Sequence, residues 1–458
     1  MEDMKNGKRS SFSGKLGYVL AAAGASVGLG NIWRFPYLAA KYGGGIFLII
    51  YIVLALTFGY TMIVAETAIG RMTRKSPVGA FKSFGKKKWL SFGGWINAVI
   101  PVLIVPYYSV IGGWVIKYLV EYFRGNAKLL AEDGYFTDFI SNGVSTELCF
   151  MAFCAFTLII IFAGVQNGIE RVSKIMMPIL IVLSVIIAVY SVTRPGALAG
   201  VKYFLVPNVK NFSWMTVVSA MGQMFYSLSI AMGILITFGS YMKKDTAIED
   251  STRNVEVFDT GIAIMAGLMI IPAVFAFSGG DPNTLQAGPS LMFITIPKVF
   301  QNMGFGTVIG IVFFLLVLFA AVTSSIALTE SAVSTFEDEL GWGRKKATVL
   351  VGVIMLALGS LSSLGYGPLA GIKIIGMQFL DLFDFLTNSV MMPIAALLTS
   401  LFVSRVVGID KIEAEIIHGE SAFRRKKVFV VMIKYLCPVF AIIILLSSVA
   451  NALGWIKM

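Results

Sequence analysis

The chain is predicted to be an all-α integral membrane protein with eleven transmembrane helices. Three observations predict this. Of its 458 residues 57% are hydrophobic and 14% charged, with a mean hydropathy of +0.83, whereas a soluble domain of that length needs far more polar surface. Apolar stretches of spanning length recur near 15–39, 43–70, 89–123, 148–165, 171–192, 213–241, 255–279, 305–337, 345–361, 374–404 and 430–456. Finally, the loops between them alternate in charge.

The first stretch is interrupted at its middle by Gly24-Ala25-Ser26-Val27-Gly28-Leu29-Gly30-Asn31, followed by Ile32-Trp33-Arg34-Phe35-Pro36. An anchoring helix has no use for three glycines, an Asn and an Arg at mid-depth. Backbone freed from helical bonding is tolerable in a bilayer only where it lines a cavity enclosed by protein. Glycine lets the chain open there, and the freed carbonyls become oxygen ligands for a small cation.

Arg71, Arg74, Lys75, Lys82 and Lys86 to Lys88 follow the second stretch, Lys243 and Lys244 the sixth, and Arg344 to Lys346 the eighth, while Arg424 to Lys427 precede the eleventh. The intervening loops are poor in bases, and 124–147 carries Glu132, Asp133, Asp138 and Glu147. This positive-inside pattern predicts a cytoplasmic N-terminus and, with an odd number of spans, an extracellular C-terminus. The net charge of +12 therefore orients the chain in a lipid bilayer and implies no nucleic acid. The basic start (Lys5, Lys8, Arg9, Lys15) runs into the first span without a cleavable signal pattern. The three cysteines, Cys149, Cys154 and Cys437, read as free thiols, and the single His418 excludes a His-rich metal site. Gly279-Gly280-Asp281-Pro282 reads as the start of a re-entrant hairpin over an outer vestibule.

The sixth stretch has a polar, small-residue interruption of its own, from Gln223 through Tyr226, Ser227 and Ser229 to Met232 and Gly233. Paired interruptions at corresponding positions of two halves point to a midplane binding site. Half-helix N-termini would face a substrate carboxylate, and opposing C-termini with freed carbonyls would face a cation.

Gly28-Leu29-Gly30-Asn31-Ile32-Trp33-Arg34-Phe35-Pro36-Tyr37 resembles the first-span signature of the neurotransmitter:sodium symporter family. Glu66 to Arg71, Pro106-Tyr107-Tyr108, Ser227-Leu228-Ser229, Thr323 to Ala327, Phe336 to Leu340 and Phe379-Leu380-Asp381 agree with it, so the likeness runs nearly the whole chain. The eleven-span form is similar to the family's bacterial amino-acid branch. The resemblance implies a single transporter domain over 1–458. Its 5+5 inverted repeat would have one half at about 15–192 and the other at about 213–404, with discontinuous first and sixth helices and an additional C-terminal helix at about 430–456.

The resemblance also implies two sodium sites. One would use the Ser26 carbonyl, the Asn31 side chain, Ser227 and Asp259; the other the carbonyls of Gly24, Val27 and Ala320 with the hydroxyls of Thr323 and Ser324. The family's chloride positions map to Tyr51, Gln223, Ser227 and Ala263, and Ala263 offers no donor. Asp259 stands where many relatives have Asn. A fixed carboxylate about 4 Å from a cation attracts it by about 4 kcal/mol at an effective dielectric near 20. Sodium dependence without chloride dependence is the expectation.

A substrate α-carboxylate would meet the N–H groups of Leu29 and Gly30 and the Tyr108 hydroxyl. Its ammonium would meet carbonyls near Ala25 and Tyr226 and the Ser229 hydroxyl. The side-chain pocket maps to Ala25, Ile104, Ile111, Tyr226, Met232, Ser324 and Leu328. Without a charge there, ionised side chains are disfavoured by desolvation, and without an acid at Ala25 a monoamine is disfavoured. The gates map to Arg34 with Asp384 outside, under the Tyr226 lid, and to Arg9 with Asp338 inside, flanked by Phe12 and Tyr241. Glu66 is expected to accept N–H groups freed in the first helix. Gly168 and Pro178 mark a segment of the fifth span that can unwind.

These features predict no enzyme but a sodium-coupled symporter of neutral hydrophobic or aromatic L-amino acids in a plasma (inner) membrane, working by alternating access. A proton-coupled carrier of the same fold, with Asp259 as its proton site, and a non-transporting amino-acid sensor remain alternatives. An intramembrane hydrolase finds no His in any span and no acid–base motif beside Asp259 or Asp384.

Overall fold

The computed structural model describes residues 9–279, 288–452 and 455. Helices α1 (Lys15–Ser26) and α2 (Gly30–Lys41) form one apolar rod bent by 53°. After them come α3 (Gly45–Thr73), α4 (Lys88–Phe123), α5 (Gly143–Phe162) and α6 (Val165–Val192). Two short helices follow, α7 (Trp214–Ser227) and α8 (Ile234–Ser240). The chain continues through α9 (Ile248–Ser278), α10 (Gly306–Leu340), α11 (Arg344–Leu364), α12 (Phe379–Val407) and α13 (Lys426–Asn451). Among the described residues nine helices are long and apolar enough to cross a membrane, or ten with the bent pair counted as one. The expected sixth span over 213–241 is not a single rod: residues 228–233 interrupt it between α7 and α8.

At both interruptions side chains take over some of the backbone groups that leave the helix, as burial favours. The α1 ladder ends where the Val27 N–H reaches the Ala23 carbonyl. The next two N–H groups leave the helix: that of Gly28 goes to Asn31 Oδ1 at 3.4 Å and that of Leu29 to the Tyr108 hydroxyl at 3.3 Å. A capping box of Ser213 and Thr216 starts α7. In the second break Ser229 (φ 53°) and Ala231 (φ 59°) adopt the left-handed conformation that side chains disfavour. The Ala231 N–H is held by Glu66 Oε1 at 2.8 Å. Glu66 thus serves the second break, not the first as expected, because α3 packs along α8.

Helix α1 lies against α9 and α10, α10 runs along α4, and α7 packs on α3. The bent rod is therefore central, and all but the first two residues of α1 are buried. The outer helices show apolar side chains outward, among them Ile159, Val182, Val189 and Leu446. The fourth and tenth spans start at Gly143 and Phe379 rather than at 148 and 374. The expected hairpin from Gly279-Gly280-Asp281-Pro282 lies, after Gly279, outside the described residues, and beyond it Leu291–Gln301 is a short apolar helix. Gly168 and Pro178 sit in an unbroken helix, a wide turn over Val165–Glu170 leading into the regular turns of α6.

Arg71, counted above with the loop bases, is fully buried in the last turns of α3. Its Nε meets Glu415 Oε1 at 2.7 Å and one terminal nitrogen meets the Thr246 carbonyl at 2.5 Å, while the other meets the Glu415 carbonyl. The short helix Ile409–Ile416 is thereby fastened across the basic end of the bundle. Removing one partner of a buried pair typically costs about 3–5 kcal/mol. Arg71→Leu should therefore lower the thermal unfolding midpoint in detergent by several degrees, and the Arg71→Leu/Glu415→Leu pair should recover most of the loss. A single variant as stable as the parent would contradict this account.

Candidate functional site

The two breaks face each other across a cavity with about 360 Å³ free of atoms, part of it open to solvent. One wall is the α1–α2 break, with Ala25, Ser26, Gly28, Leu29, Gly30 and Asn31. Tyr226 faces it from the end of α7, Ser229 and Met232 from the second break, Ile104 and Tyr108 from α4, and Ser324 and Leu328 from α10. None of these side chains is charged. Ile111, expected in the wall, is buried in α4 but does not reach the cavity. Gly28, assigned no role from sequence, is part of it. A Cβ at Gly28 would stand 2.7 Å from Ser324 Oγ and 3.1 Å from the Tyr108 hydroxyl, and one at Gly30 would meet the Tyr226 ring at 2.3 Å. Glycine is required at both because side chains from other helices close on the backbone.

Asp259 of α9 is the electrostatic centre next to the cavity, and it is wholly buried. Asn31 Nδ2 donates to its Oδ1 at 2.8 Å and to its carbonyl at 3.3 Å. The Ser227 hydroxyl lies 2.9 and 3.0 Å from the two carboxylate oxygens, and the Tyr51 hydroxyl 3.0 Å from Oδ2. Ser227 is turned to this carboxylate and is not on the cavity wall. Gln223 donates instead to the Gly30 carbonyl at 3.0 Å, and Ala263 is buried with no donor to give. Two of the expected anion-binding side chains thus hold a carboxylate belonging to the chain.

On the other flank, Ser324 Oγ stands 3.2 Å from the Gly24 carbonyl and 3.1 Å from that of Ala25, which also accepts from Ser229 Oγ at 2.9 Å. Thr323 Oγ1 lies 3.2 Å from the Ala320 carbonyl and 3.0 Å from that of Phe319. Gly24 and Ala25 of α1 are thus brought against Thr323 and Ser324 of α10, with Ala320 one turn back along α10 and Val27 just after the end of α1. Hydroxyl and carbonyl oxygens are the hard donors an alkali cation takes.

The two ends of the bundle differ. At the basic end Arg9 pairs with Asp338, bonds Ser334 at 2.6 Å and Ser240 at 3.1 Å, and lies over the Tyr241 ring. Asp338 also takes the Ser76 N–H at 2.6 Å, and Phe12 packs edge-on against Tyr241. Sequence reasoning missed the next layer, where the Tyr241 hydroxyl meets Glu330 at 2.7 Å and Arg344 meets the same carboxylate at 3.0 and 2.5 Å. Its signal was a carboxylate deep in an apolar helix, which needs a partner. At the other end no ion pair joins Arg34 to Asp384 among the described residues. Arg34 lies over Tyr226, 5.3 Å from the ring centre, and Asp384 accepts from Tyr107 at 3.2 Å and Asn388 at 2.6 Å. The expected direct outer pair is therefore absent here: neighbouring aromatic and amide groups hold each charge instead.

The chain matches the profile of the "Sodium:neurotransmitter symporter family" over residues 9–132 and 137–455. It is 34% identical over 450 residues to the uncharacterized sodium-dependent transporter YhdH of Bacillus subtilis, covering 97% of this chain and 99% of that protein. A sodium- and chloride-dependent GABA transporter 2 of Macaca fascicularis is 26% identical, with 88% of this chain and 73% of that one covered. Among solved structures, MhsT in complex with L-phenylalanine superimposes with a TM-score of 0.86 at 35% identity, covering 96% of this chain and all of the other. With a family profile spanning nearly its whole length, the chain belongs to the sodium:neurotransmitter symporter family, as a multi-pass membrane transporter and not an enzyme.

Proposed function

We propose that this protein imports neutral hydrophobic and aromatic L-amino acids, driven by two sodium ions and without chloride. The observation that carries the reading is the Asp259 carboxylate held by Asn31, Ser227 and Tyr51 beside an uncharged cavity. A sodium ion between Asn31, the Ser26 carbonyl and Asp259 would find its countercharge built in. An attraction of about 4 kcal/mol at about 4 Å is enough to replace a mobile anion. The second ion would sit between the Gly24, Val27 and Ala320 carbonyls and the Thr323 and Ser324 hydroxyls.

The bound amino acid would place its carboxylate at Leu29, Gly30 and Tyr108 and its ammonium at the carbonyls of Ala25 and Tyr226, near Ser229. Its side chain would lie among Ile104, Met232, Ser324 and Leu328, where an ionised group would lose its hydration without compensation. Met232 is pliable, and Ala25 leaves space for a large substituent. The solved relative holding L-phenylalanine supports this class.

In this reading α7 and α8 are the two halves of the sixth of eleven spans, and the repeats of five are inverted about the cavity. The basic end faces the cytoplasm in a plasma (inner) membrane, the N-terminus with it, and the C-terminus is outside. The Arg9–Asp338 closure, with Arg34 and Asp384 unpaired, supports a conformation that loads from outside. Each charge entering under the membrane potential contributes about 2.3 kcal/mol per 100 mV.

Uptake of labelled amino acids into proteoliposomes tests the reading. Phenylalanine, leucine, tyrosine, tryptophan and methionine form the panel, and accumulation should vanish when choline replaces sodium and persist when gluconate replaces chloride. Sodium-free accumulation driven by a pH gradient would establish the proton-coupled alternative instead. Asp259→Asn should reduce sodium-driven uptake at least about tenfold in chloride-free buffer, given the size of the attraction removed. An unchanged sodium affinity would remove Asp259 from the site. Gly28→Ala, forced against Ser324 and Tyr108, should weaken substrate binding about tenfold or more while the unfolding midpoint stays near that of the parent. Equal affinity in scintillation proximity binding would show that the wall is not where substrate sits.

A further inference from the structure

We propose that a shallow groove at the start of α11 binds one anionic phospholipid of the surrounding bilayer. Trp342, Lys345, Lys346, Val349, Leu350 and Val353 line it. Most of these positions recur at steps of three or four residues, so they share one face of the helix and of the turn that leads into it. Trp342, Val349 and Val353 are 41%, 55% and 58% exposed, and the surface inside the groove is apolar. The lysines give it their methylene stems and hold their ammonium groups at its rim.

The charge at this rim is not compensated by the protein. The first turn of α11 holds Arg344, Lys345 and Lys346 with no acidic residue, at the helix end where the backbone dipole is already positive. Arg344 is committed inward to Glu330. Of the acids just before the turn, Asp338 is taken by Arg9 and Glu339 by Lys82, while Glu337 lies on α10 and not on the groove wall. Neither Lys345 nor Lys346 has a carboxylate partner among the described residues.

The groove joins this rim to Val349 and Val353, further along a helix that qualifies as a span. The lysines therefore stand where lipid headgroups meet acyl chains, and Trp342 is the kind of side chain that settles at that level. Free phosphate would answer the two ammonium groups and leave the valines bare. A zwitterionic lipid would cover the valines and leave the charge unanswered. An anionic phospholipid answers both.

Native mass spectrometry of the full chain tests this with palmitoyl-oleoyl phosphatidylglycerol, matched phosphatidylcholine and inorganic phosphate as probes. The chain should retain phosphatidylglycerol about tenfold more strongly than phosphatidylcholine, and millimolar phosphate should not displace it. Lys345→Gln/Lys346→Gln should abolish the preference, whereas Lys86→Gln/Lys87→Gln, in another basic loop, should keep it. In vesicles, brominated phosphatidylglycerol should quench tryptophan fluorescence more than brominated phosphatidylcholine, and Trp342→Phe should remove the difference. Equal retention of the two lipids, displacement by phosphate, or a glutamine pair that retains phosphatidylglycerol like the parent would overturn the proposal. So would a dimer in phosphatidylcholine nanodiscs that Lys345→Gln/Lys346→Gln dissociates, since the groove would then be a contact between copies of the chain.

Discussion

A membrane offers no water to an opened helix, and the rest of this structure follows from that constraint. Two rods are interrupted at the same depth of the bundle, and each freed backbone group must be answered by protein or by a bound guest. The protein answers with a few well-placed side chains. Asn31 and Tyr108 take the N–H groups of Gly28 and Leu29, Glu66 takes that of Ala231, and Gln223 binds the Gly30 carbonyl. The carbonyls of Gly24 and Ala25 meet hydroxyls, from Ser324 and Ser229. Hydroxyls can rotate away and offer their own oxygens, which is why the reading proposed above puts a cation on this flank.

The second consequence is electrostatic. A carboxylate in a membrane interior is costly, and Asp259 is tolerated because three donors converge on it. Tyr51 and Ser227 are neutral, so the arrangement leaves its negative charge uncancelled next to Asn31. In the reading proposed above, such a charge would favour cation entry and couple the cation to whatever shares the cavity. At the basic end the logic is reversed. Arg9, Arg344, Asp338 and Glu330 cancel in pairs around Tyr241.

Much of this was legible from the chain itself. The glycine run gave away the first break, and the polar stretch around Ser227 and Ser229 gave away the second, because such residues have no other reason to lie at mid-depth. Most wall residues followed from resemblance. Four kinds of feature were not legible. Gly28 as a wall residue depends on how closely Ser324 and Tyr108 approach, which is a property of helix packing. Ile111 was misplaced because one face of α4 serves both the cavity and the core, and periodicity does not say where one ends. Glu66 and Arg71 were given the wrong surroundings because their partners, Ala231 and Glu415, are 165 and 344 residues away in sequence. The wide turns at Gly30–Arg34 and Phe385–Met391, which set the aim of Arg34 and Asp384, carry no sequence signal that we recognise.

The most direct test of the central claim is a double-label equilibrium measurement on the purified chain in chloride-free gluconate buffer, following radioactive sodium and L-phenylalanine together. The account predicts that each promotes retention of the other, with two sodium ions bound per amino acid. Amino acid held without sodium, or held only once chloride is restored, would contradict it.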